Sequence, residues 1–257
     1  PTTFALPSPR SWRVRCFNNA FAFLARKGKF NPRKAGARNW HSPAFGDHEV
    51  IVETPVHGRN FEEFTPGEAR LALAAWANRE KSFYARPGVK YAFLFKNHGA
   101  NAGASIPHEH SQIIALPFVP TVVAAEEKAA AKKCVHCELL QKERRNTVFE
   151  TKRFAAIRPS YSRFPFEFWL IPKRHVKGLR ELTQEELAEL AGALAKSAKL
   201  AAAIAPDYNF FHHAAPPGGK LHYHIEVVPR SNTWAGAEFG AGIIINSRDA
   251  KTAVKQL

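Results

Sequence analysis

Phe95–Gln112 reads FKNHGANAGASIPHEHSQ and runs directly into an apolar stretch, Ile113 to Leu116. An apolar run after a Gly-containing loop is a strand signal. Side chains two apart on a strand share a face. His108, His110 and Gln112 therefore point one way, and Glu109 and Ser111 the other. Two imidazoles and an amide on one face, beside a flexible loop, can bind a phosphate and attack it. A His-x-His pair alone is common, and it is the loop that gives this one weight. Gly99 and Gly103 allow close backbone approach to a ligand, Ser105 adds a hydroxyl, and successive loop amides can form an anion nest.

Working outward, the same order of features occurs twice. A second His-x-His lies at His222 and His224, after the Gly-rich loop AAPPGGK. Upstream of each pair is a strand-like run ending in a Pro-containing turn and a histidine: HEVIVETPVH ends at His57, and FWLIPKRH ends at His175. Eight residues beyond each histidine stands a threonine with a glutamate three residues on, Thr65 with Glu68 and Thr183 with Glu186. That is the form of a capping box opening a helix. Leu187, Leu190, Ala191, Leu194, Ala198 and Ala201 then mark one helical face, and Leu73, Trp76 and Phe83 do so in the first half. Strand, histidine, capped helix, strand, loop and His-x-His, twice, argue for internal duplication. The expected class is α+β, with helices packed on mostly antiparallel sheet. The expected halves are residues 1–121 and 122–257, the Ala- and Lys-rich segment from Val122 to Lys133 forming a linking helix.

There are three cysteines, too few for a disulfide framework. Cys16 stands in an apolar stretch and reads as a small buried hydrophobe. Cys134 and Cys137 form C-V-H-C, which by itself could be a redox pair. With His175 and His222 they make two thiolates and two imidazoles, a set that suits tetrahedral zinc. His57 and His108 hold the matching places in the first half, which lacks a C-x2-C; that pair would belong before Trp12.

Lys and Arg number 37 against 22 Asp and Glu, a net charge of +15 that would steer anionic substrates toward a folded enzyme. The basic residues are dispersed apart from short clusters such as Lys142 to Arg145, and no nucleic-acid-binding motif is present, so no nucleic-acid partner is expected. No apolar run is long enough to span a membrane, and no secretory signal opens the sequence, so a cytoplasmic setting is expected. Methionine is absent, which is anomalous for a chain of this length.

These motifs resemble the galactose-1-phosphate uridylyltransferases of the histidine-triad superfamily. The resemblance runs from about Trp12 to Asn246 and rests most specifically on FKNHGANAGASIPHEHSQIIALP and HYHIEVVPR, with N-x-F at Asn19 to Phe21, HEVIVETPVH, CVHC, SRFPFEFWLIPKRH and WAGAEFGAG in the family's order. It implies a duplicated histidine-triad-like fold whose first half is catalytic and whose second is a zinc-binding, degenerate copy. It implies His110 as nucleophile and Gln112 as the amide that holds phosphoryl oxygens. Asn97, Gly103 and Ser105 would line the phosphate loop, Asn19 and Phe21 would contact the nucleoside, and Glu238 would contribute to the sugar and phosphate site. His57 and His108 match zinc ligands of the first half, and Cys134, Cys137, His175 and His222 match a zinc set of the second. Substrates would be a nucleoside diphosphate sugar and a sugar 1-phosphate, in galactose metabolism, and the enzyme would be a homodimer. Two departures stand out: Glu109 where proline is usual between the histidines, and Ala237 where an aromatic is usual.

The residues suit the chemistry. A neutral imidazole is a nucleophile near pH 7 because its reference pKa is about 6.5. Attack on an α-phosphorus gives a nucleotidyl-histidine, which splits one hard step into two. An amide cannot act as acid or base at neutral pH, so Gln112 favours a transferase over a hydrolase. Uridylyl transfer leads; adenylyl transfer from an ADP-sugar or a dinucleoside polyphosphate, or a non-catalytic nucleotide-binding module, are the alternatives.

Overall fold

A computed structural model describes residues 1–36 and 39–257. The strands are β1 (Thr2–Leu6), β2 (Val14–Asn18), β3 (Arg33–Lys34), β4 (Trp40–His41), β5 (Asp47–Val52), β6 (Tyr91–His98), β7 (His110–Leu116), β8 (Thr147–Glu150), β9 (Phe154–Ile157), β10 (Phe168–Pro172), β11 (Tyr208–His213) and β12 (His224–Pro229). The helices are α1 (Pro66–Tyr84), α2 (Thr121–Ala130), α3 (Val135–Lys142), α4 (Gln184–Ile204), α5 (Gly236–Ala241) and α6 (Ala250–Val254). Apart from the small β3–β4 pair, the strands form one ten-stranded antiparallel sheet ordered β1-β2-β5-β7-β6-β11-β12-β10-β9-β8. Read from its two ends, that order is the same: hairpin, strand before the histidine, His-x-His strand, strand after the helix. The halves join where β6 pairs with β11, Phe95 opposite Phe211.

Local signals explain the helices. Thr65 and Thr183 each accept a hydrogen bond from the amide three residues on, and Glu68 and Glu186 return it, closing both capping boxes. Trp76, Phe83 and Leu73 on α1 are buried, as are Leu187, Leu190, Leu194, Ala198 and Ala201 on α4. The two helices pack against each other on one face of the sheet, over Phe168, Leu170, Phe210 and Ile225. Burying a Leu or Phe side chain is worth about 1.5–3 kcal/mol, so this layer dominates the stability of the body. Cys16 lies in that core, fully buried, and burial pushes its thiol up to about 12.

The opposite face carries the polar chemistry. Cross-strand register places His48, Val50 and Val52 of β5 beside Ile114, Gln112 and His110 of β7. The segment expected to link the halves is α2, and its Glu126 reaches back to His213 of β11.

Candidate functional site

Strand β7 begins at His110; His108 lies just ahead of it, in the turn leaving the loop. The alternation holds nevertheless. His110 and Gln112 face the open side, while Glu109 and Ser111 face the helices. His110 is buried, and its Nδ1–H donates to the His108 carbonyl at 2.8 Å. The free lone pair is therefore on Nε2. Burial lowers the pKa of His110 from its usual value, so the ring stays neutral and nucleophilic at pH 7.

Asn60, residues 97–100 and residues 104–110 line a cleft of about 360 Å³ that includes Asn97, Ser105, His108 and His110; Gly103 and Gln112 do not line it. Gly99 and Gly103 have φ of +83° and +88°, in the left-handed region that favours glycine. A Cβ on Gly99 would lie 1.9 Å from the Asp207 carboxylate, so no side chain fits there. Asp207 in turn accepts the Asn101 amide at 2.7 Å, pinning the loop. Asn97 donates to the Gly103 carbonyl at 3.3 Å and accepts from Asn209 of the second half at 2.9 Å. Ser105 is exposed at the rim.

Behind His110, on the helix side, stands a buried charge network. Lys96 Nζ pairs with Glu53 at 2.5 Å, with Glu109, and with the His110 carbonyl at 3.1 Å. Trp76 and Ser111 also donate to Glu53. Burial alone would raise the Glu109 carboxyl, but the Lys96 ammonium and His98 outweigh it and hold it at about 2. Glu109, standing where a proline was the expectation, points away from the open face and is a structural counter-ion.

The other expected residues fall into two groups. Asn19 is half-buried, accepts the Phe21 amide at 2.9 Å and turns its NH2 toward His48 at 3.1 Å. Phe21 is almost fully exposed, and Glu238 caps its own short helix through the Ala235 amide at 3.0 Å. Neither lines the cleft around His110 within this single chain.

The ligand atoms of Cys134, Cys137, His175 and His222 all lie within 4.8 Å of one another. Each histidine turns Nδ1 inward, His222 at 3.6 Å and 3.4 Å from the two sulfurs, and His175 at 3.6 Å from Cys137. Each donates its Nε2–H to a backbone carbonyl, Pro172 at 2.9 Å and Lys220 at 3.1 Å, the outer partners that metal-bound imidazoles use. Burial holds His222 down at about 4, neutral at pH 7, as a ligand must be. Two sulfurs and two nitrogens converging in this way fit a tetrahedral divalent ion. His57 and His108 repeat the motif with Nδ1 atoms 3.2 Å apart and His108 Nε2 on the Thr54 carbonyl at 2.7 Å. In the second half the C-x2-C stands ahead of β8, whose counterpart in the first half is β1.

Sequence reasoning missed a further group. Glu126, His213, His224 and Glu226 also gather their ligand atoms within 4.8 Å. His224 and Glu226 occupy in the second half the places of His110 and Gln112, and Arg163 pairs with Glu226. The signal available was the His212-His213 pair ahead of the second Gly loop; Glu126 was hidden in what read as a linker. His48 was missed too: it bonds Gln112 directly, at 2.7 Å.

Residues 9–120 match the model of the galactose-1-phosphate uridyl transferase N-terminal domain, and residues 133–240 that of the scavenger mRNA decapping enzyme C-terminal region. A galactose-1-phosphate uridylyltransferase of Thermotoga maritima is 34% identical over 98% of this chain and 86% of its own. The chain belongs to the galactose-1-phosphate uridylyltransferase family. It is thus a member of a family of nucleotidyltransferase enzymes. An ADP-glucose phosphorylase of Arabidopsis thaliana is 30% identical over 96% of this chain and 74% of its own. The crystal structure of an Arabidopsis ADP-glucose phosphorylase with bound ADP-glucose superposes with a TM-score of 0.89, at 28% identity, covering 100% of this chain and 85% of that one. Among the described residues no helix is long and apolar enough to cross a membrane.

Proposed function

We propose that this enzyme transfers a uridylyl group between UDP-hexose and hexose 1-phosphate through His110. The observation that carries the reading is the His110 ring: buried, neutral, proton on Nδ1 held by the His108 carbonyl, and Nε2 left free beside the anion loop. Nε2 attacks the α-phosphorus, the bond to the β-phosphate oxygen breaks, and hexose 1-phosphate leaves. A second hexose 1-phosphate then attacks the same phosphorus, the P–N bond breaks, and His110 is restored. Gln112 and Ser105 are the donors for the phosphoryl oxygens, the amides of Asn101, Ala102 and Gly103 being taken up within the loop and by Asp207. Asn97 shapes that loop, and Asn19 and Phe21 take the nucleoside.

A second reading has a specific observation behind it, the likeness to ADP-glucose phosphorylase over the whole chain. It keeps His110 and its intermediate, exchanges uracil for adenine and makes phosphate the acceptor. Incubation with UDP-glucose and, separately, ADP-glucose, followed by intact mass and peptide mapping, decides between them. A uridylyl adduct on His110, lost in His110→Ala, is the expected result; no adduct from either sugar nucleotide would overturn both readings.

Zinc is the fitting ion for Cys134, Cys137, His175 and His222, where it would fix the start of β12 against α3. In the first half His57 and His108 would be the zinc ligands. A homodimer is proposed in which Phe239 and Ile243 to Ile245, all exposed here, and Glu238 complete the partner's site. The two halves act as unequal copies, 1–121 catalytic and 122–257 supporting. A cytoplasmic location fits this chemistry.

A further inference from the structure

His48 is a buried imidazole on the open face of β5, confined by Gln112 and by the Phe23 ring at 4.5 Å between centroids. Its two nitrogens differ. Nδ1 is buried with no partner among the described residues, whereas Nε2 lies 2.7 Å from Gln112 Oε1 and 3.1 Å from the Asn19 NH2. Burial keeps the ring neutral at pH 7, so it carries one proton. That proton belongs on Nε2, toward the nearer Gln112 oxygen, because an N–H on Nδ1 would be buried without an acceptor; the Asn19 NH2, the farther neighbour of Nε2, then finds no lone pair there.

The consequence is for Gln112. A glutamine amide can turn over by 180°, exchanging a carbonyl oxygen for an NH2, and only its hydrogen-bond partners decide which way it points. With Oε1 taken by His48, the NH2 is what Gln112 offers to a ligand. Turned the other way, the same side chain would present a carbonyl dipole to phosphoryl oxygens and oppose the reaction. Leaving one ring nitrogen unpaired in the interior is costly, and an apolar residue at position 48 would avoid that cost. In the second half, the place of Gln112 is taken by Glu226, which pairs with Arg163 and lies 3.9 Å from His213 Nε2.

We propose that His48 is a positioning residue for nucleotidyl transfer, locking the Gln112 amide with its NH2 toward the reacting phosphoryl group. This rests on the reading in which His110 is nucleotidylated, and it adds a residue that acts only through Gln112.

The test is a double-mutant cycle on the first half-reaction. Wild type, His48→Leu, Gln112→Ala and the double variant are mixed with whichever of UDP-glucose and ADP-glucose labels the wild type. The rate of nucleotidyl-histidine formation is followed by quench and intact mass over a range of sugar nucleotide. His48→Leu is expected to lower the maximal rate about 10- to 100-fold, the usual range for the partner of an active-site ligand. His48→Gln, which can place an N–H near the lost Nε2, should recover most of the rate, and His48→Asn, which is too short to reach, should not. In the Gln112→Ala background the His48 substitutions should cost nothing more, because the group they orient is gone. Should His48→Leu not fold, as judged by circular dichroism, His48→Asn carries the same cycle. Rates unchanged by substitution at His48, or a loss that persists in full without Gln112, would overturn the proposal while leaving His110 as nucleophile. A wild-type enzyme that takes no label removes the parent reading and this one with it.

Discussion

Asn209 of the second half donates through Nδ2 to Asn97 Oδ1 and to the Ala102 carbonyl, each at 2.9 Å, and so holds the anion loop of the first half. The two residues face each other across the β6–β11 junction. The loop that reads as a local Gly-rich motif therefore depends on the other half of the chain. Duplication gives the first half a rigid neighbour, and the neighbour's strand β11 is its scaffold.

Replacing Asn209 by Ala leaves the Ala102 carbonyl and the Asn97 amide oxygen without their donor in a buried place. The cost is about 1–3 kcal/mol of stability for such a group. A looser loop should raise KM for the sugar nucleotide more than it lowers kcat. Urea denaturation and steady-state kinetics on Asn209→Ala measure both; a stability loss with KM unchanged would show that the loop is set by Asp207 alone.

The proposed metal site predicts one tightly held ion in the second half. Cys134→Ser and His222→Ala should each lose it, read as metal per chain by elemental analysis after dialysis. Removing a structural ligand set of this kind also removes stability, because binding energy is folding energy. Melting temperature should fall with the metal, and the same fall should follow a chelator on the unaltered protein. Unchanged metal content in Cys134→Ser would refute the assignment.

The shared face of His110 and Gln112 was legible because strand alternation is a local property; Cys134 and Cys137 were joined to His175 and His222, 38 and 88 positions off, only through the order of features repeated in the first half. Both capping boxes were legible because they too are local. His48, Asn209, Lys96 and Glu126 were not. Each acts through a partner 64, 112, 13 or 87 positions away, reached only when the strands pair in one register or a helix folds back. Nothing in the spacing of Glu109 announces that Lys96 will neutralise it. Duplication was legible from the order of features, but the sharing of one sheet by both halves was not. Phe21 and Glu238, both expected at the site, stand apart from the cleft in one chain.

The buried network behind His110 predicts an acid-sensitive core. Glu109 has its folded pKa depressed from 4.5 to about 2. A depressed carboxylate contributes stability that is present above the unfolded pKa and is lost as pH falls toward the folded one. The share of stability carried by Glu109 should therefore decline between about pH 5 and pH 2, against an opposite contribution from Glu53, whose carboxyl is pushed up by burial, and Glu109→Gln should flatten that decline while lowering stability at pH 7. Lys96→Met is harsher, since it leaves Glu53 and Glu109 buried together without a cation; losing one partner of a buried pair costs about 3–5 kcal/mol. Denaturant midpoints for the three proteins across that pH range check the sign. A Glu109→Gln curve parallel to the wild type would show that Glu109 carries no linked stability.

The ring of His110 makes the last prediction. Burial, outweighing the bond to the His108 carbonyl, lowers its pKa below the 6.5 of a free imidazole. Nucleophilic attack needs the neutral ring, so the rate of nucleotidylation should hold its plateau down through pH 6.5 and fall only below it. The overall turnover would blur this, because a sugar 1-phosphate acceptor has its own ionisation at about pH 6, as phosphate monoesters do. The first half-reaction avoids that, since the diphosphate of a sugar nucleotide has no group titrating nearby. Single-turnover labelling between pH 5 and pH 8 therefore isolates His110. An acid limb centred above about pH 6.5 would mean that a neighbouring carboxylate, and not burial, governs the nucleophile.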